Sequence, residues 1–494
     1  MLLIGYDLGS SSVKASLVNG KTKKVLATAQ YPEREMPIDA PQENWAEQHP
    51  NDWWKNIKKV TEILFDKTPA NRNEVVAIGV AYQMHGLVTL TAANEPARPA
   101  IIWCDSRAVA IGDKAFKEIG QEKCLESLLN SPGNFTASKL KWIQENEPEV
   151  YKTIKKIMLP GDFVAYKFTG KHTTTNTGLS EGIFWDFKKE QLSETIMNHY
   201  GFEGDLIPEI VPVFANQGQI TKEMAEEFGF NANAVVSYRA GDQPNNAFSL
   251  NVLKPGEIAA TGGTSGVVYG VVDQLKYDPN NRVNTFAHIN HTEEARRLGV
   301  LLCINGTGSA YAWLRNNLAA DKDYFELETL ASSVEVGANG LSFLPFGNGA
   351  ERMLQNKIIG AQFDGLQFTK HKLAHMVRAC LEGIAFSFVY GIKCMKDLGL
   401  SPSVIKVGSD NMFQSEIFAT TIATLTNAEI QVKETNGAVG AAIGAGFGAG
   451  EIESLEDAFV EENIIKKYQA DLSKLEAYQK AYDKWLNSLE IKLK

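Results

Sequence analysis

The sequence predicts an α/β protein with two large, related domains that face one cleft. The chain has 494 residues, which is too long for a single hydrophobic core. A strand, a turn rich in glycine and hydroxyl side chains, and a second strand occur over residues 4–18 and again over residues 257–272. Strand-like and helix-like segments alternate in both halves, which is typical of α/β folds. We therefore expect one domain over residues 1–237 and another over residues 238–494.

The first turn carries an acidic residue, a glycine, three serines and a lysine. Asp7 ends an apolar run, Gly9, Ser10 and Ser11 form the turn, and Lys14 follows in the second strand. Backbone N–H groups and hydroxyls of such a turn can bind an anion, and Lys14 adds a positive charge. Because a carboxylate repels phosphate, the sensible use of Asp7 is to hold a shared Mg²⁺ through water. The alternative is an ordinary hairpin with a solvated turn.

Composition excludes several classes of protein. Apolar residues make up 44% and charged residues 22%, which is ordinary for a globular chain. The net charge is −10 and no cluster of Lys and Arg stands out, so no nucleic-acid partner is expected. The five cysteines form no Cys-x-x-Cys pair, which argues against a disulfide framework or zinc site and favours a reducing compartment. They are Cys104, Cys124, Cys303, Cys380 and Cys394.

No segment of the sequence predicts export or a membrane span. The chain meets Asp7 too early for the apolar core of a signal peptide, and the small-residue run from Gly437 to Gly450 is too short to cross a bilayer. Apolar residues at helical spacing between Leu373 and Lys396 predict a core helix. We expect a cytoplasmic protein without a membrane partner, and the oligomeric state stays open, a homodimer included.

Two strands of the first half lead into polar clusters. The strand from Val75 to Ala81 precedes Gln83, Met84 and His85, and the strand from Ala100 to Trp103 precedes Asp105 and Arg107. Ligands of open α/β sheets bind at strand ends, so these clusters predict a pocket for a small polyol. The alternatives are a structural histidine and a structural ion pair. The Thr-rich segment from Thr173 to Gly182 is expected to be a loop near the cleft, and a helix is expected over residues 108–129.

Several catalytic motifs are absent or out of context. The sequence has no phosphate-binding loop of P-loop enzymes, no protein-kinase motifs and no His-Glu-x-x-His. A Gly-x-Ser-x-Gly run at residues 178–182 lacks the preceding apolar strand that a nucleophile elbow needs. A loose dinucleotide-binding pattern at residues 444–449 does not open a βαβ unit.

Read together, the motifs resemble the FGGY family of carbohydrate kinases, and within it the xylulokinases, over nearly the whole chain. The pieces that carry the resemblance are Asp7 to Ser11, Gln83 to Gly86, Trp103 to Arg107, Gly241 to Gln243, Gly263 to Gly266 and Phe343 to Phe346. Their order and spacing are specific, although each piece alone is common. The resemblance implies two actin-like (ribonuclease-H-like) domains, with ATP, Mg²⁺ and a sugar in the cleft between them.

The resemblance also implies a role for each matching residue. Asp242 matches the catalytic base and, with Asp7, lies near the metal. The expected sugar contacts are Met84, His85, Trp103, Asp105, Asp242 and Gln243. The expected nucleotide contacts are Gly9, Ser10, Ser11, Lys14, Gly263, Thr264, Ser265, Gly408 and Asn411. A carboxylate at Asp242 could accept the proton of a sugar hydroxyl as the P–O bond forms.

The chain departs from the family pattern at three places. The usual Gly-Glu-Arg-x-Pro becomes Gly349-Ala350-Glu351-Arg352-Met353, the glycine triplet expected for adenosine becomes residues 408–411, Gly-Ser-Asp-Asn, and Pro244 follows Gln243. The second change leaves nucleotide preference open. Three hypotheses follow: a D-xylulose kinase, a kinase of the same family for ribulose, a deoxy-ketose, gluconate or glycerol, and a non-catalytic actin-like sensor or filament subunit.

Overall fold

The structure is a computed structural model, and it describes residues 1–409, 411–455, 458–459 and 464–494. Elements are numbered in chain order. The strands are β1 Leu2–Leu8, β2 Val13–Asn19, β3 Val25–Tyr31, β4 Glu47–Gln48, β5 Val75–Tyr82, β6 Val88–Thr91, β7 Ala100–Ile101, β8 Ile154–Met158, β9 Thr173–Thr174, β10 Trp185–Asp186, β11 Gln191–Leu192, β12 Glu209–Ile210, β13 Phe214–Gln219, β14 Val235–Gly241, β15 Ile258–Gly262, β16 Gly266–Val272, β17 Asn284–Ala287, β18 Leu298–Ile304, β19 Ser342–Phe346, β20 Gly360–Asp364, β21 Val404–Gly408, β22 Glu429–Lys433 and β23 Ile464–Tyr468.

The helices alternate with these strands along both halves of the chain. They are α1 Pro50–Asp66, α2 Val109–Ile119, α3 Gln121–Leu128, α4 Thr136–Asn146, α5 Pro148–Thr153, α6 Pro160–Thr169, α7 Asn176–Glu181, α8 Glu194–Tyr200, α9 Lys222–Phe228, α10 Asp242–Ser249, α11 Gly308–Leu318, α12 Tyr324–Ser332, α13 Leu373–Lys396, α14 Glu416–Thr426, α15 Gly437–Gly448 and α16 Leu475–Leu493.

Two large mixed sheets share one arrangement of strands. The first has the order β13-β14-β5-β1-β2-β3, and the second has the order β17-β18-β16-β15-β21-β22-β23. In the first, β1 and β2 form an antiparallel hairpin, while β5 and β14 run parallel to β1 on its other side. In the second, β15 and β16 form the hairpin, and β21 and β22 take the parallel positions. The α/β prediction with two related halves is confirmed.

One helix from the second half packs on the sheet of the first half. Helix α15 follows β22 of the second sheet, yet it contacts β1, β5 and β14 of the first. The approach is close because two strand positions are glycine. A Cβ added at Gly5 would lie 2.0 Å from the carbonyl oxygen of Ala438, and one at Gly79 would lie 2.0 Å from that of Ala441. The small residues of α15 therefore fix the two halves against each other.

Helix α13 is the core helix of the second half. It is long and apolar enough to cross a membrane by length and composition, but most of it is buried inside the protein. It packs against α12, α14 and β19. Its apolar residues therefore serve the core, as their helical spacing predicts.

Two local predictions are wrong. The segment from Thr173 to Gly182 is not a loop, because it contains β9 and the short helix α7. The hydroxyl of Thr175 accepts a hydrogen bond from the N–H of Gly178 at 3.1 Å and so begins that helix as an N-cap. The helix expected over residues 108–129 is two helices, separated at Gly120, whose φ of 101° is outside the helical range.

The expected domain boundary between residues 237 and 238 falls within β14. This strand pairs with β5 along its length and so belongs to the first sheet. The division at that point remains a prediction.

Candidate active site

Asp242 lies where the two sheets meet. It is the first residue of α10, directly after β14 of the first sheet. Helix α10 contacts β14 and β5 on one side and β15 and β16 of the second sheet on the other. It also packs along α15. A residue at this helix N-terminus therefore stands between the two halves, as the sequence predicts for Asp242.

The environment of Asp242 makes its carboxyl group unusually basic. Burial raises the pKa of Asp242 to about 7, and the negative charge of Asp7 adds to the shift. Hydrogen bonds from Gln243 act in the opposite direction. A general base works best when its pKa lies near the operating pH. A pKa of about 7 therefore suits Asp242 for accepting a proton at neutral pH.

Asp7 stands at the same edge of the first sheet. Burial raises the pKa of Asp7, while the charge of Lys14, its partner across the β1–β2 hairpin, lowers it. The carboxylate also meets the first residue of α15, since a Cβ added at Gly437 would lie 2.4 Å from Oδ2 of Asp7 and 3.0 Å from Oδ1 of Asn246. The structure thus brings the two expected metal-binding carboxylates, Asp7 and Asp242, together at the N-termini of two helices.

The donor set near these carboxylates fits Mg²⁺. Within the described ranges, no group of three or more His, Cys, Asp or Glu side chains forms a metal cluster. Mg²⁺ does not require one, since it is commonly bound by one or two carboxylates together with water and substrate phosphates. Two repelling carboxylates with one lysine nearby leave negative charge that a divalent cation would neutralise.

His85 is held in an unusual backbone conformation at the end of β5. Its φ is 63°, in the left-handed region. Its N–H donates to Oε2 of Glu181 at 3.0 Å, and Nδ1 lies 3.0 Å from the backbone oxygen of Glu181. Because a carbonyl oxygen only accepts, Nδ1 carries the proton and Nε2 is left as an acceptor. Burial lowers the pKa of His85 to about 3, and the charge of Lys139 adds to this, so the ring is neutral.

Glu181 is a site residue that sequence analysis missed. It is 1% exposed, and burial raises its pKa well above the ordinary value. The charge of Asp242 adds to the shift, whereas Tyr82 and the N–H of His85 oppose it. Its sequence context, the Gly-x-Ser-x-Gly run, points only to a serine nucleophile. The composition of residues 173–182 predicts a loop, so it gives no sign that a buried helix ends there with an acidic residue.

Other expected sugar contacts occupy the same neighbourhood. Met84 is buried and packs against Gly241, where an added Cβ would lie 2.5 Å from Cγ of Met84. Trp103 is 52% exposed, and its Nε1–H donates to Oγ of Ser10 at 3.3 Å. This contact links the second polar cluster to the first glycine-serine turn.

Asp105 is engaged in a buried ion-pair network. Its Oδ2 accepts hydrogen bonds from the N–H of Ala46 and from Nη2 of Arg107, both at 2.6 Å. Nη1 of Arg107 also lies 2.7 Å from Glu47, and its guanidinium stacks 3.8 Å from the ring centre of Trp45. Asp105 is fully buried. Its geometry favours the structural ion pair, and its role as a sugar contact stays a prediction.

Aromatic and charged groups from both halves complete the surroundings of His85. Phe135 and Phe286 lie with ring centres 4.8 and 5.3 Å from that of His85, and Phe286 belongs to β17 of the second sheet. The Arg352 guanidinium lies 5.9 Å from the Phe135 ring centre, and burial lowers its pKa to about 10. Nothing in sequence spacing relates Phe286 to His85, because the two come from different sheets.

A cavity of about 610 Å³ lies beside the second glycine turn. Gly263 and Thr264, two of the residues expected to contact the nucleotide, line it, and Ser265 completes the turn. Gly408 ends β21, the parallel neighbour of β15, and so lies at the same edge of the sheet. Asn411 begins a short 3-10 helix, and its side chain is outside the described part. The lining residues are Gly262, Gly263, Thr264, Gly308, Ser309, Tyr311, Ala312, Tyr324, Phe325, Glu328, Met412, Gln414 and Ser415.

The turn of the first sheet has a tight, hydrogen-bonded form. The N–H of Gly9 donates to the carbonyl of Ser12 at 3.0 Å, and Ser11 is exposed. Ser10 accepts a second hydrogen bond at its carbonyl, from Nε2 of Gln48 at 2.7 Å. The two glycine turns occupy equivalent places in the two sheets, as the repeat in the sequence predicts.

Comparison with known proteins covers nearly the whole chain. Residues 2–249 match the family model of the FGGY family of carbohydrate kinases, N-terminal domain, and residues 258–449 match the C-terminal domain of that family. The chain is 29% identical to the xylulose kinase of Haemophilus influenzae over 99% of both chains.

Proteins of known structure with the same fold are named as kinases of different substrates. The xylulose kinase from Rhodospirillum rubrum is 25% identical, with a TM-score of 0.88 over 99% of both chains. The gluconate kinase from Lactobacillus acidophilus is 21% identical, with a TM-score of 0.88 over 100% of this chain and 98% of that one. The fold is therefore common to kinases with different acceptors.

Proposed function

Because the chain belongs to the FGGY family of carbohydrate kinases, we propose that it phosphorylates D-xylulose with ATP and Mg²⁺, giving D-xylulose 5-phosphate, with Asp242 as the general base. Family membership makes the protein a phosphotransferase that acts on a small sugar. The choice of D-xylulose is supported by similarity to xylulose kinases over the full length. The five free cysteines support a cytoplasmic location.

One observation carries the mechanistic part of the proposal. Asp242 is a partly buried carboxyl group at the junction of the two sheets, and its pKa is raised to about 7. A sugar hydroxyl is a poor nucleophile at neutral pH. A carboxylate within hydrogen-bond reach accepts the hydroxyl proton as the new P–O bond forms, and the hydrogen bonds from Gln243 keep that carboxylate in place.

The neighbours of Asp242 supply binding and orientation. His85 is neutral, with Nε2 left as an acceptor, so it suits a sugar hydroxyl. Met84 would give an apolar contact, and Trp103, whose Nε1–H donates to Oγ of Ser10, would contact the sugar from the side of the first glycine-serine turn. This combination of a few polar groups and apolar surface suits a small ketose.

Residues for the phosphate side are present in both halves. Gly9 to Ser11 with Lys14, and Gly263 to Ser265, would hold the nucleotide phosphates, and the cavity beside Gly263 would hold the nucleoside. Asp7 and Asp242 would hold Mg²⁺. Bound Mg²⁺ supplies positive charge that offsets the charge of the phosphates during transfer.

A coupled assay of ADP release tests the proposed function. Candidate acceptors are D-xylulose, ribulose, a deoxy-ketose, gluconate and glycerol, each with and without Mg²⁺, and the phosphorylated product is identified by NMR. We expect ADP release that depends on both D-xylulose and Mg²⁺. Turnover with another acceptor alone would overturn the assignment of the sugar, and ATP hydrolysis that ignores every acceptor would overturn phosphoryl transfer to a sugar.

A further inference from the structure

The backbone of His85 requires support from its surroundings. A residue with a side chain at φ 63° occupies a sparsely populated region, which persists only when neighbouring groups hold it. Apart from glycine, residues with positive φ are uncommon, although Asn, Asp and His are found there more often than other residues. The groups that hold His85 in place therefore determine where its imidazole points.

Two buried ionisable side chains, Glu181 and Lys139, hold the two polar groups of the His85 backbone. Oε2 of Glu181 accepts the N–H of His85 at 3.0 Å. Nζ of Lys139 donates to the carbonyl oxygen of His85 at 2.9 Å. Glu181 is 1% exposed and Lys139 is fully buried. The backbone oxygen of Glu181 also receives the Nδ1–H of the imidazole, so the same residue fixes the ring.

Lys139 joins the two polar clusters of the first half. Besides the carbonyl of His85, its Nζ donates to the carbonyl of Ile102 at 2.9 Å, and Ile102 directly precedes Trp103. One ammonium group thus fixes the spacing between the segment that carries His85 and the segment that carries Trp103. Burial of Lys139 lowers its pKa to about 8, as expected when a charged group is removed from water.

We propose that Glu181 and Lys139 are positioning residues for the acceptor sugar, which hold His85 in its left-handed conformation and so direct its imidazole at a sugar hydroxyl. The inference rests on the proposed function, because it concerns the same acceptor site. A histidine that only filled space would need neither a left-handed backbone nor two buried polar partners. Phe135 and Phe286 pack against the ring of His85. Among the described hydrogen bonds, none joins either of them to the His85 backbone.

The test measures sugar binding without nucleotide, by calorimetry. We expect Glu181→Ala and Lys139→Met each to weaken D-xylulose binding about 10- to 100-fold, because misplacement of a contact by about 1 Å has effects of this size. Glu181→Gln should bind within about threefold of wild type, since its amide oxygen can still accept the His85 N–H. Glu194→Ala, which removes an exposed carboxylate paired with Lys189, is the matched control and should bind like wild type.

A double-mutant cycle separates positioning from general loss of structure. In a His85→Ala background, Glu181→Ala should change sugar binding less than about twofold, because its effect acts through the imidazole. In the Glu181→Ala single variant, the KM for D-xylulose should rise while the KM for ATP stays within about twofold of the wild-type value. An equal loss in both backgrounds, or equal changes of both KM values, would overturn the proposal.

A further variant keeps the test decisive if Glu181→Ala does not fold. Lys139→Gln shortens the side chain and replaces a charged donor by a neutral amide, so it should weaken sugar binding about 10-fold. Unchanged binding by Lys139→Gln would overturn the proposal. If the wild-type protein binds another sugar instead of D-xylulose, the proposed substrate fails, and the same comparison with that sugar tests the positioning role separately.

Discussion

The charge of Asp7 raises the pKa of Asp242, although Asp7 lies in β1, Asp242 directly follows β14, and β5 separates these two strands in the sheet. Both stand at the carboxyl ends of parallel strands, and each meets the N-terminus of a helix, α15 for Asp7 and α10 for Asp242. These two helices pack together between the halves. The packing of these two helices between the halves therefore brings the two carboxylates together.

The raised pKa of Asp242 predicts how the stability of the metal-free protein depends on pH. Its folded pKa of about 7 lies above the ordinary value of 3.8, so the folded state holds a proton that the unfolded state has lost between these values. The contribution of Asp242 to stability is complete below about pH 4 and falls as pH rises to about 7. In urea unfolding with a chelator present, Asp242→Asn should therefore gain stability relative to wild type between pH 5 and pH 8. A difference that does not change with pH would contradict the assigned environment.

The contact between α15 and the first sheet predicts a large effect of one methyl group. A Cβ at Gly79 would lie 2.0 Å from the carbonyl oxygen of Ala441, so Gly79→Ala forces the helix away from the strand. We expect a loss of about 1–3 kcal/mol or more in the free energy of unfolding. Gly204→Ala is the matched control, since a Cβ there meets nothing within 4 Å. Equal stability of the two variants in urea unfolding would show that α15 packs less closely on the first sheet than this distance indicates.

The network around Asp105 predicts a loss of stability. Asp105→Asn leaves the buried guanidinium of Arg107 without one of its two carboxylate partners. We expect about 3 kcal/mol or more of destabilisation, which is typical when one member of a buried ion pair is removed. The KM for the sugar should change little in the folded fraction. Normal stability together with a raised KM would instead support the sugar contact that sequence analysis predicts.

The cavity beside Gly263 predicts a selective effect on the nucleotide. Ala312 lines this cavity from α11, and Ala312→Trp would fill part of its volume of about 610 Å³. We expect the KM for ATP to rise at least about 10-fold while the dissociation constant of the sugar is unchanged. Asn316→Trp, at an exposed position of the same helix, serves as control. If Ala312→Trp leaves the KM for ATP unchanged, the nucleoside binds elsewhere.

Sequence patterns were sufficient for features that depend on neighbouring residues. The hairpins around Gly9 and Gly263, the buried strand β5 and the core helix α13 follow from local periodicity and turn residues. The apolar run from Val235 to Ala240 likewise predicts the strand before Asp242, although not the helix that begins at Asp242. Local physical preferences determine these elements, and the tertiary structure does not override them.

Features that depend on distant parts of the chain could not be predicted in this way. The packing of α15 on the first sheet depends on glycines in two strands far from it in sequence. The neighbours of His85 come from α7, α4 and β17, and no spacing relates them. The acidic residue of α7 was missed because the threonine-rich segment has the composition of a loop, whereas burial and the Thr175 N-cap make it helical.

The most direct test of the central claim compares wild type with Asp242→Asn in D-xylulose-dependent ADP release, together with calorimetric binding of the sugar. The asparagine keeps the shape of the side chain but cannot accept the hydroxyl proton. We predict a loss of about 10²–10⁴ in turnover, with sugar binding retained. Undiminished turnover by Asp242→Asn would contradict the account.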